Sequence, residues 1–198
     1  MKYNLFWLLN FGICLLFYVA NLKEDPMGER EMFLVLGAML FFTMTSLSVN
    51  RFCLDNNEVM MRSEFDYYAI SLAQGIIEEA KTRAFDVAVA DEHNLPPLSD
   101  LPGAFTGDKG LGPMPGEYYP NYNDVDDYNG LNLDITANIN GPKVNYHVQV
   151  QVRYVEEWDL NTLIGPKKFH KKMIVTVTSD FISAPVVLSH VFSYYEFG

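Results

Sequence analysis

Cysteine, proline and positive charge are all scarce where other protein classes need them. Cysteine occurs twice in 198 residues, as Cys14 inside an apolar run and Cys53 at the end of another, too few for a disulfide framework or a thiolate metal site. Lys and Arg total 14 against 25 Asp and Glu, a formal charge of −11, so the basic face that nucleic-acid binders use to release phosphate counterions is missing. Nucleic acid is therefore not expected as a partner. Phosphate loop, dinucleotide glycine pattern, nucleophile elbow and HExxH are absent. Histidines 93, 147, 170 and 190 fall in a loop and three strand-like segments without paired spacing, which reads as solvated or sheet-face histidine rather than a metal centre. No cofactor is expected, and no nucleophile, base and orienting group come together, so the chain does not read as an enzyme.

Proline is also missing from Glu31 to Asp86, and this absence is informative in the other direction. From Met32 to Val49 (MFLVLGAMLFFTMTSLSV) there is no charge, which suits the roughly 20 apolar residues of a membrane-spanning helix. Beyond Arg51 the pattern becomes amphipathic. Met61, Phe65, Ala69, Leu72, Ile76 and Ala80 recur every three or four residues, predicting the packing face of a half-buried helix. One helix covering both parts would be about 80 Å long.

Before it, Leu5 to Ala20 forms another apolar run, broken by Asn10 and Gly12. It reads as a first membrane helix, a signal-like segment or an extension upstream of Met27. A retained segment is the preferred reading, because Tyr18 stands where a cleavage site wants a small residue. The charged link LKEDPMGERE follows, and the basic residues on either side of the runs do not set an orientation.

Residues 91–130 hold six of the ten prolines and eight acids against Lys109 alone, predicting a long irregular connector with a strongly negative outer face. Asp124, Asp126 and Asp127 are weak candidates for calcium ligands. Their spacing fails the EF-hand pattern, and acidic turn residues ahead of the first strand are the simpler reading. The last third alternates: LNLDITANI, then KVNYHVQVQVRYV after the turn signal Asn140-Gly141, then KKFHKKMIVTVTS and APVVLSHVFSYYEF. Four consecutive strands predict an antiparallel meander whose apolar face needs a cover, and the helix is the available one. Lys167, Lys168, His170, Lys171 and Lys172 read either as a solvated strand edge or as a patch for the acidic connector of an adjacent subunit.

The fold class is thus α+β, with residues 1–25 an N-terminal apolar segment, 26–90 a long helix, 91–130 the connector and 131–198 the sheet. This architecture resembles the type IV pilins and type II secretion pseudopilins. SLAQGIIEEAKTRAFD is similar to the helix that follows the membrane segment in minor pilin-like proteins. NDVDDYNGL resembles the loop before the first strand in minor pilins of the mannose-sensitive haemagglutinin pilus, and KKFHKKMIVTVTSDFISAPVVLSHVFSYY has the cadence of their last hairpin. The resemblance implies a non-enzymatic minor subunit or assembly component of a type IV pilus or pseudopilus. It implies an inner-membrane anchor, an extracytoplasmic domain that can join an extracellular filament, and as partners membrane lipid, copies of itself, other pilin-like subunits and the assembly machinery. Gly28 becomes the candidate processing site. The chain departs from the family pattern there, because Glu29, Arg30 and Glu31 follow Gly28 and Phe33 holds the fifth position where the family has glutamate. The alternative from another class is a stand-alone membrane-anchored binding module whose tyrosine-rich connector captures a ligand.

Overall fold

The computed structural model describes residues 28–91, 93–139 and 141–194. The first apolar run, Asn140 and the last four residues lie outside them. The chain divides into a unit ending at Asn56 and a unit from Asn57 to Gly198, and a 52-residue helix, α1 (Glu29–Ala80), has residues in each.

Within the first unit, α1 is long and apolar enough to cross a membrane, and its large side chains face outward all round, including Phe33, Leu34, Leu40, Phe41, Met44 and Leu47. The polar groups in this stretch are dealt with locally. Thr43 Oγ1 donates to Leu40 O at 2.8 Å, and Thr45 Oγ1 donates to Phe41 O and Phe42 O at 3.0 and 2.9 Å. Such back-bonding removes hydroxyls from competition in a medium without water.

In the second unit, the end of α1 packs on an antiparallel sheet. The strands are β1 (Asn132–Asn138), β2 (Lys143–Val155), β3 (Leu163–Ile164), β4 (His170–Thr178) and β5 (Val186–Ser193). Their order is β1-β2-β4-β5, with the two-residue β3 paired to β2, so there are five strands rather than the four expected. Alternation in β2 sends Val144, Tyr146, Val148, Val150, Val152 and Tyr154 inward, and Asn145, Gln149 and Gln151 outward. Opposite them, β4 contributes Met173, Val175 and Val177 in register with Val152, Val150 and Val148.

The helix meets this face through Phe65, Ala69, Ala73, Ile76, Ile77 and Ala80, all buried, with Leu72 partly buried beside them. Met61 does not belong to this face, being 40% exposed. The contact starts one turn later, where Tyr146 Oη donates to Phe65 O at 3.2 Å. Ala73 and Ile77 take the positions that the apolar count passed over. Three alanines on the seam leave room for close approach of helix and sheet, which the periodicity alone does not convey.

The helix segment was expected over residues 26–90, with its apolar pattern fading after Asp86, and α1 stops at Ala80. Thr82 N and Arg83 N bond Glu79 O and Ala80 O in a tightened last turn, and Ala84 then leaves to form a parallel bridge with Asp124. Ala84 N donates to Asn123 O at 3.2 Å and Ala84 O accepts from Val125 N at 2.9 Å, so tertiary pairing replaces the next helical turn. The connector is irregular, as its prolines require, but it is not loose. Leu101, Phe105 and Leu111 are buried with Phe85 and Tyr154 in a second core.

Candidate functional site: a lysine among carboxylates under the connector

The strand order decides what the basic run of β4 becomes. With β2 on one side and β5 on the other, β4 is internal, so the run cannot be a solvated edge. Lys171 falls on the same face as Met173 and Val175, opposite Tyr154, and is 0% exposed. The other members disperse. Lys167 Nζ donates to Gly103 O at 2.7 Å, Lys168 pairs with Glu156 at 3.1 Å, Lys172 Nζ donates to Asn161 Oδ1 at 2.9 Å, and His170 Nδ1 lies 2.7 Å from Ser193 Oγ.

Lys171 is held by acids from two places in the chain. Its ammonium donates to Phe85 O at 2.9 Å and to Asp86 Oδ2 at 2.7 Å. It also forms an ion pair with Asp126 Oδ1 at 2.5 Å. The rings of Phe85 and Tyr154 lie 4.4 and 5.2 Å from the nitrogen, closing the site to water and adding cation–π attraction. The lysine therefore meets the acidic connector of its own chain, not that of a neighbour.

The two acids beside Lys171 differ sharply. Asp86, 0% exposed, also accepts from Ala88 N at 3.1 Å, from Thr106 N and Oγ1 at 2.9 and 3.2 Å, and from Tyr154 Oη at 3.4 Å. Burial pulls its pKa upward, but the Lys171 charge and these donors outweigh it and hold the carboxyl below its ordinary value. Asp126, 2% exposed, has no hydrogen-bond donor on either oxygen, and only the ion pair faces it. Burial pushes it up to about 7, with Asp86 and Asp124 adding to the rise and Lys171 opposing it.

Asp124 and Asp127 are inside as well, which revises the expected negative outer face. Asp124 Oδ1 accepts from Asp126 N at 2.7 Å and Asp127 N at 3.2 Å, and Asp127 Oδ2 accepts from Asn123 N at 3.0 Å. Their side chains thus hold the turn at Asp126–Tyr128 in shape. Burial raises Asp124 to about 6, with the Asp127 charge next in weight. Among the described residues, no group of three or more His, Cys, Asp or Glu is arranged to hold a metal ion. Of the calcium candidates, Asp124 and Asp127 each turn one oxygen onto backbone N–H groups, and Asp126 faces the Lys171 ammonium.

The rest of this motif fastens the connector to its surroundings. Tyr128 Oη donates to Glu79 Oε1 at 2.9 Å, Tyr119 Oη donates to Glu79 Oε2 at 3.1 Å, and Asn129 links Leu111 O to Val152 N at 2.9 Å each. Gly130, at φ +85°, then turns the chain into β1 with a conformation that side chains disfavour. Of the sequence candidates, the structure thus brings together Asp124, Asp126 and Asp127, while Gly28 lies exposed just before α1. Asp86 carried no signal in the sequence beyond closing the helical pattern, and Lys171 read as surface. Alternation carried through KKFHKKMIVTV was the clue that would have placed Lys171 inward. No protein-family model, curated protein or solved structure matches this chain.

Proposed function

We propose that this is a non-enzymatic, membrane-anchored pilin-like protein, acting as a minor subunit or assembly component of a type IV pilus or type II secretion pseudopilus. The observation that carries the reading is α1 itself. One helix holds an uncharged stretch exposed on every side, Met32 to Val49, and an alanine-rich seam, Ala69 to Ala80, buried against an antiparallel sheet. An outward-facing apolar surface of that length needs lipid or other such helices around it. The sheet domain keeps a polar outer face on β2, with Asn145, Gln149 and Gln151 in water.

In this reading, residues 32–49 hold the protein in the inner membrane and the domain lies on the extracytoplasmic side. Where the subunit is extracted into a filament, the same stretch joins its helical core. Glu29, Arg30 and Glu31 after Gly28 argue for a protein that stays anchored. The test is to cross-link and purify the full chain from membranes of its native host, then identify its partners and its mature N-terminus. Co-purification with pilin-like subunits and an assembly ATPase is expected. A protein that fractionates with soluble material defeats the proposal, and one that is membrane-bound without such partners supports the binding-module alternative.

A further inference from the structure

We propose that Lys171 and Asp126 join covalently within the folded domain, forming an intramolecular amide between Lys171 Nζ and Asp126 Cγ, with Asp86 as the base that drives it. The reactants are already in place. An amine and a carboxyl that must meet in dilute solution are here fixed at 2.5 Å between Lys171 Nζ and Asp126 Oδ1, inside a wall of Phe85, Tyr154 and Phe105. Well-oriented intramolecular partners react as if at roughly 10⁵–10⁸ M.

The surroundings also sort the two acids into roles. Asp86 is fixed as an anion by five donors from four residues and is a poor electrophile; Lys171 is among those donors, so Asp86 gains basicity as the lysine loses its charge and can keep the proton it takes. Asp126 faces no donor other than Lys171 itself, so it is the carboxyl less firmly held as an anion and the one that takes the neutral, electrophilic form. Its raised pKa agrees with that role. One ammonium against two buried carboxylates leaves a spare negative charge, and such a group is costly without a partner.

The step balances without any outside reagent. Asp86 takes a proton from the Lys171 ammonium, and the freed amine turns about its Cε–Nζ bond and attacks Asp126 Cγ. The C–N bond forms as the C–OH bond of Asp126 breaks. Of the two protons the nitrogen gives up, one leaves with that hydroxyl as water and the other remains on Asp86. Nothing is oxidised or reduced. Two buried charges disappear, and the connector becomes tied to the central strand across 171 − 126 = 45 positions of sequence. A bond there resists extension of the domain by pulling on its ends, since the segment between the two residues cannot be drawn out.

The experiment is intact-mass measurement of the full chain purified in detergent, followed by protease mapping and fragmentation. The expected mass is lower than the sequence mass by one water, with a branched peptide joining Lys171 to Asp126. Lys171→Ala, Asp126→Ala and Asp86→Ala should each restore the full mass; Asp86→Ala is the telling variant, because that residue is not part of the product bond. Folded wild-type protein at full sequence mass overturns the proposal. So does a water loss mapped to Lys171 and Asp86, or to a single unbranched peptide as a succinimide would be. If the variants fail to fold, the wild-type mass and map still decide.

Discussion

Replacing Ala73 by Leu is the sharpest test of whether the helix is seated on the sheet. Ala73 is fully buried in one core cluster with Val148 and Val150 of β2 and Met173, Val175 and Val177 of β4. Leucine is almost as good a helix former as alanine, so the substitution costs α1 little by itself. The three added carbons must find space in a close-packed seam flanked by two more buried alanines, Ala69 and Ala80. Overpacking of this kind costs about 1–3 kcal/mol, and at roughly 2–4 °C per kcal/mol for a chain of this size the melting midpoint should fall by about 2–12 °C. The assay is thermal unfolding of the detergent-solubilised chain by near-UV circular dichroism, with Gln74→Leu as control. Gln74 is the next residue on α1 but is exposed, so its substitution should stay within about 0.5 kcal/mol of wild type. Equal melting of Ala73→Leu and Gln74→Leu would refute the seam, because it would mean that no sheet stands over Ala73.

Three further outcomes follow from the connector. Asp124 is raised from 3.8 to about 6 in the folded state, so the fold holds its proton more tightly than the unfolded chain does; stability is fully present below pH 3.8 and lost as pH rises through about 6. That interval corresponds to at most about 3 kcal/mol, and melting across it should show a midpoint that falls with rising pH, less steeply in Asp124→Asn; a midpoint that rises over this window contradicts the burial of Asp124. Tyr128→Phe removes the hydrogen bond to Glu79 and should cost about 1 kcal/mol, read as a shift in the urea midpoint without a change in slope. Gly130→Ala forces a side chain into φ +85° and should cost about 1 kcal/mol, whereas an unchanged urea midpoint would mean that the turn into β1 has another shape.

Much of the fold was legible before any coordinates. β2 runs from Lys143 to Val155, the same limits that its alternation implies, because a long period-two run with one apolar face has few other ways to bury that face. The uncharged run of α1 and the irregularity of the proline-rich connector were equally direct. The site was not legible. KKFHKK reads as surface because lysine is almost never fully buried unless paired, and its partners lie 45 and 85 positions away at Asp126 and Asp86. The end of α1 was misplaced for the same kind of reason, since Ala84 is claimed by Asp124, forty residues further on.

The sequence by itself determined the long helix, the four longer strands and which end of the helix is greasy, because these depend on the periodic spacing of apolar side chains along a few turns or residues of backbone. Only the tertiary structure decided that β4 lies inside the sheet, and hence that Lys171 enters the core among Asp86, Asp126 and aromatic rings. Strand order is a choice among whole-chain arrangements. Its energy comes from burying distant groups together, and no local pattern records which distant groups those are.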